Sequence, residues 1–134
     1  MIKQILGVVA GLVAWFATAS VCAFVLRETW PAYASVVETL DFARETAAPA
    51  FTLPMLLARL SMGAVATIVM GFVAARMTSS TLVRLLPGVL LLCFFTVEHL
   101  AVWDKFPLWY HLTFLLSLLP LTYLGNLIGS GKHI

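Results

Sequence analysis

Four apolar runs, each about as long as a bilayer is thick, leave this chain few ways to fold. A spanning helix needs about 20 mostly apolar residues. Such runs extend over about 5–26, 53–75, 82–103 and 108–128. In lipid every backbone N–H and C=O must be satisfied internally, so each run must be a helix. Composition agrees: of 134 residues, 62% are hydrophobic and 10% charged, more apolar surface than a soluble domain of this length can hide. The expected fold is all-α, an integral-membrane four-helix bundle forming one domain over 1–134.

The links set the arrangement. A long polar segment joins the first two runs, a short one covers Met77 to Thr81, and a tight turn covers Asp104 to Pro107. Short links imply that the last three spans are antiparallel neighbours. Lys3 and the Ala17-Thr18-Ala19 triplet resemble parts of a signal peptide, but the apolar run continues to Leu26. It is therefore expected to remain as an uncleaved span.

Within the long link, Pro31 suits a first helical position. Tyr33, Val36, Val37, Leu40 and Ala43 repeat at helical spacing, with Glu38, Asp41 and Glu45 on the other face. This pattern predicts an extra amphipathic surface helix over about 31–46, lying on the membrane or folded over the bundle as a lid. Ala47-Ala48-Pro49 ends it. The acids are expected to be a solvated face rather than a cation site.

Lys3, Arg76, Arg84 and Lys132 fall at one end of the spans with no acid among them. By the positive-inside rule this end is cytoplasmic, which puts both termini inside. Trp30, Tyr33, Trp103, Trp109 and Tyr110 then form an aromatic belt at the outer interface. Trp15 lies mid-span and reads as a packing residue.

Small residues mark the packing faces. Gly7 and Gly11 form one GxxxG, Gly125 and Gly129 another, and Gly63, Thr67, Gly71 and Ala75 line one face of the second span. Such stripes let backbones approach closely, either within one bundle or between copies of the chain. Pro87-Gly88 and Pro120 are expected to kink or loosen their helices.

The chemistry-bearing residues are those least at home in lipid. Arg59 and Glu98 sit inside spans, where a charge costs roughly 2.5–3.5 kcal/mol. Counting from Arg76 and Arg84, they stand about 25 Å and 21 Å above the inner interface, which predicts an Arg59–Glu98 ion pair. His99 follows Glu98, turned about 100° around the helix. His99 and His111 lie about six residues either side of the turn, at matching depth about 9 Å below it. Asp104 in the turn completes an intramembrane polar cluster.

Three readings compete for this cluster. A structural polar clamp is favoured, because charge pairs and interfacial histidines are common structural features. An ion- or proton-coupled transport site is second, weakened by the scarcity of ionisable residues in the inner half. Third is a small metal ion held by His99 and His111 with Glu98 or Asp104. A nucleophilic enzyme is not supported, because neither Ser61 nor Ser117 has the setting of an activated nucleophile. The net charge of +2 with no Lys/Arg cluster excludes a nucleic-acid partner. Cys22 and Cys93 have no CxxC spacing and read as small hydrophobes.

The stretch VWDKFPLWYHLTFLLSLLPLTYLG from Val102 to Gly125, preceded by ARLSMGAVATIVMGFVAARM from Ala58 to Met77, resembles a group of small bacterial inner-membrane proteins of uncharacterised function. Its distinctive part is the turn from Trp103 to His111. The resemblance implies the bacterial inner membrane and no activity. The sequence thus predicts a small inner-membrane accessory or scaffold protein with no cofactor. The bilayer is its first partner, and a second copy or another membrane protein is its candidate protein partner.

Overall fold

The computed structural model describes residues 1–42 and 51–131, with backbone alone at 39–42. Five helices follow one another: α1 (Ile2–Thr29), α2 (Pro31–Phe42), α3 (Leu53–Met77), α4 (Thr81–Ala101) and α5 (Leu108–Ser130), with a 3-10 turn at Trp103–Lys105 before α5. Among the described residues there is no strand. α1, α3, α4 and α5 are each long and apolar enough to cross a membrane. The architecture is that of a small multi-pass membrane protein whose outward faces are largely apolar.

Local chemistry explains the boundaries. Proline lies in the first turn of α3, where the missing N–H costs nothing. Ser80 caps α4 by accepting from the Val83 N–H. In the preceding link, Arg84 Nε donates to the Thr78 carbonyl at 2.7 Å. α5 closes on Gly131 in the left-handed conformation, φ 66°, a position that favours glycine. Pro87 and Pro120 each lie inside one continuous helix. The third span ends at Ala101 rather than 103, because Trp103 enters the 3-10 turn.

The register follows from the close contacts. Gly7 faces Thr78 and Gly11 faces Met70 and Ala74, so α1 and α3 run antiparallel. Gly63 meets Phe114, Gly71 meets Thr122 and Gly129 meets Phe72 and Ala75, so α3 and α5 run parallel. The most extensive packing joins α3 to α5, and α4 rests chiefly on α5. This differs from the expectation from short links: α3 and α4 are antiparallel neighbours in sequence, yet the tighter seam skips α4. Glycine accounts for it. A Cβ on Gly125 would collide with the Ile68 carbonyl, and one on Gly71 with that of Thr122. Only bare glycine lets the two backbones meet there.

All three small-residue stripes are therefore occupied within one chain. Trp15 is buried, as expected, and its indole Nε1–H donates to Thr67 Oγ1 at 3.1 Å. The Thr67 hydroxyl in turn donates to the Gly63 carbonyl at 2.7 Å. Around them Met70, Leu91, Phe114 and Leu118 form the core.

α2 folds back against the bundle. Tyr33 and Val37 are buried, with Met55 and Phe51 beside them. The amphipathic pattern holds over the described part, with Tyr33 and Val37 turned to the bundle and Glu38 exposed. The remainder of the expected helix, including Ala43 and Glu45, lies outside the described residues, as does Lys132.

Candidate functional site

The turn after α4 builds the site. Lys105 N–H bonds to the Val102 carbonyl at 3.0 Å and closes the 3-10 turn. Phe106 is extended, and Pro107 leads directly into α5. This compact reversal places α5's first turn, with Tyr110 and His111, opposite the last turn of α4.

The two histidines meet there. His99 Nδ1 and His111 Nδ1 are 2.8 Å apart, and His111 Nε2 lies 3.1 Å from the Trp103 carbonyl. A carbonyl only accepts, so His111 carries its proton on Nε2 and presents a lone pair at Nδ1. His99 Nδ1–H must then donate to it, which leaves the His99 Nε2 lone pair with no hydrogen-bond partner among the described residues. The Trp103 indole stacks on His111 at 4.6 Å, and Phe114 stacks on His99 at 4.9 Å. His111 is fully buried and His99 nearly so. The matching depth read from the turn is observed as direct contact.

Arg59 departs from expectation. Its Nε donates to the Tyr110 hydroxyl and its Nη1 to the Tyr33 hydroxyl, each at 3.3 Å. The guanidinium also lies 5.2 Å from the Phe51 ring centroid and 5.8 Å from that of Phe106. No ion pair joins it to Glu98 among the described residues. The reason is rotational. His99 points inward at α5, so Glu98, about 100° around the helix, faces outward and is exposed. Two cation–π contacts at about 0.5–2 kcal/mol each and two membrane hydrogen bonds at about 0.6 kcal/mol each match the roughly 2.5–3.5 kcal/mol cost of the charge. Among the described residues, Arg59 is stabilised without a carboxylate.

Tyr33 and Tyr110, read from sequence as belt residues, are buried and belong to the site. Trp103 and Trp109 do stay exposed at that end. A signal for Tyr33 existed in its place on the apolar stripe of the surface helix. For Tyr110 the only signal was its position beside His111.

Arg59, Glu98 and His99 still share a cavity of about 250 Å³, with Tyr110 also in its wall. Phe94, Phe95 and Phe106 supply its apolar surface. Because Glu98 and Phe94 are exposed, the cavity opens at the side of the bundle. His111 does not line it and lies against His99, and Asp104 is exposed in the turn. For a metal, the geometry offers two imidazoles turned toward each other. No group of three His, Cys, Asp or Glu that could hold an ion occurs among the described residues.

Polar groups thin out toward the other end. Thr67 and Thr122 are fully buried, and Thr122 donates to its own helix at Leu118. Asn126 is buried with neither amide atom hydrogen-bonded among the described residues. It borders a second cavity of about 80 Å³ with Arg84, Tyr123 and Ser130.

No protein-family model, curated protein or solved structure matches this chain. The resemblance carried by Trp103–His111 therefore brings no family name and no activity.

Proposed function

We propose that this protein is an accessory or scaffold subunit of a bacterial inner membrane, with both termini cytoplasmic. One observation carries the reading: its intramembrane polar side chains bind one another instead of lining a path. Arg59 is held by Tyr33 and Tyr110, and His111 is held by Trp103 and His99. Below them the buried polar side chains among the described residues are Trp15-bonded Thr67, helix-bonded Thr122, Asn126 and, in the link after α3, Thr78. A transporter needs ionisable or coordinating groups along its route. The orientation is supported by Lys3, Arg76 and Arg84 at the end opposite α2. The partner is another membrane protein or a second copy, met through faces other than the glycine seams already filled.

A second reading is favoured by one feature. The hydrogen-bonded chain from His99 Nε2 through His111 to the Trp103 carbonyl joins two imidazoles and begins in the cavity, the first element that a proton relay would need. Proteoliposomes under an imposed pH gradient separate the two readings. The scaffold reading expects proton flux equal to that of protein-free vesicles. Flux that rises with protein content and vanishes in His99→Gln would replace it with the relay.

A further inference from the structure

The cavity beside Arg59 has two chemically opposite poles. A guanidinium has five N–H donors, and the tyrosine contacts use two of them. The remaining three have no acceptor among the described residues, and the Tyr110 hydroxyl, whose oxygen accepts from Arg59, keeps its own proton to give. Together they make one pole a donor set suited to an oxyanion. The other pole only accepts: the Glu98 carboxylate and the lone pair at His99 Nε2 ask for N–H groups. Such a pair of poles fits a zwitterion with an acidic oxygen group and a primary ammonium a few bonds apart.

Its position says where that zwitterion comes from. Glu98 lies three residues before the end of α4, about 4.5 Å along the axis, so the poles sit near the level where headgroups meet hydrocarbon. Leu86, Leu90, Phe94 and Glu98 follow at four-residue spacing, and all four are exposed. One helix face thus presents an apolar track ending in a carboxylate. The cavity, at about 250 Å³, is smaller than the roughly 300–1,000 Å³ pockets that enclose whole drug-sized ligands. It has room for a headgroup while the chains stay outside.

We propose that this cavity binds the headgroup of a phospholipid bearing a primary ammonium, phosphate on Arg59 and Tyr110, ammonium on Glu98 and His99 Nε2, acyl chains along Leu90 and Leu86. The site is independent of the scaffold role. A choline headgroup satisfies the phosphate pole but has no N–H for the acceptors, and a glycerol headgroup has no cation for Glu98.

The test is native mass spectrometry of the detergent-purified full chain, titrated with phosphatidylethanolamine, phosphatidylcholine and phosphatidylglycerol of identical short acyl chains. The ethanolamine lipid is expected to bind roughly tenfold more tightly than the other two, the scale of one charge-assisted hydrogen-bonded contact. Glu98→Gln, at an exposed position that leaves the fold intact, is expected to erase that preference without weakening the glycerol lipid. Arg59→Gln is expected to weaken all three. Equal affinity for the three lipids in the unaltered chain would overturn the proposal, as would a preference that survives Glu98→Gln. Competition by water-soluble phosphoethanolamine at concentrations matching the lipid's would overturn the lipid assignment.

Discussion

A single rotation about the α4 axis decides what each polar residue does. His99 and Glu98 are adjacent, and only one of them can face α5. With His99 inward the imidazoles bond to each other, Arg59 turns to tyrosine hydroxyls, and the carboxylate is left at the surface. Depth along a helix was legible in the sequence, and it brought His99 to His111 and Arg59 to the height of Glu98. Facing was not legible, because spacing within one helix says nothing about which neighbour it packs against. The aromatic partners of Arg59 were hidden for a related reason. A tyrosine near an interface reads as a belt residue until a buried cation is known to sit beside it. Asn126 carries its own test at this scale. A buried amide with no partner costs about 1–3 kcal/mol. Asn126→Leu is expected to raise the thermal stability of the detergent-solubilised protein by an amount in that range. A loss of stability in melting experiments would mean that the amide has a bonding role.

At the level of helices, two identical-looking motifs have different fates. Gly7/Gly11 and Gly125/Gly129 are both GxxxG in sequence. A Cβ at Gly11 would meet Ala74 and Met70 at an ordinary 3.4 Å, whereas one at Gly125 would strike the Ile68 carbonyl and lie 2.9 Å from the Phe72 nitrogen. Gly125→Ala is expected to cost about 1–3 kcal/mol by overpacking a backbone seam that cannot retreat. Gly11→Ala is expected to be neutral or to gain up to about 1 kcal/mol from the better helix propensity of alanine. Thermal unfolding of both variants in one detergent checks the contrast. Equal losses would mean that the α3–α5 seam is no tighter than the α1–α3 seam. The motif told where small residues gather. Which seam needs glycine depended on α3 and α5 running parallel past the intervening α4, a tertiary fact with no local sequence signature.

Taken as a whole, the molecule is a bundle whose two ends differ. One end is basic, with Lys3, Arg76 and Arg84. The other gathers α2, the 3-10 turn and the Arg59–Tyr33–Tyr110 and His99–His111 clusters. The number and length of the spans were legible because lipid permits almost nothing else for runs this apolar. The lid-like seat of α2 was only half legible: its stripe announced a buried face, and Tyr33 on Arg59 reveals what the face covers. Arg59 ties α2, α3 and α5 together through tyrosine hydroxyls and has no carboxylate partner among the described residues. A double-mutant cycle measures this directly, with Arg59→Gln, Tyr110→Phe and the double variant followed by unfolding in the same detergent. A coupling of roughly 0.6–1.5 kcal/mol is expected for Arg59 with Tyr110, and none for Arg59 with Glu98→Gln. Zero coupling to Tyr110, with strong coupling to Glu98, would contradict it.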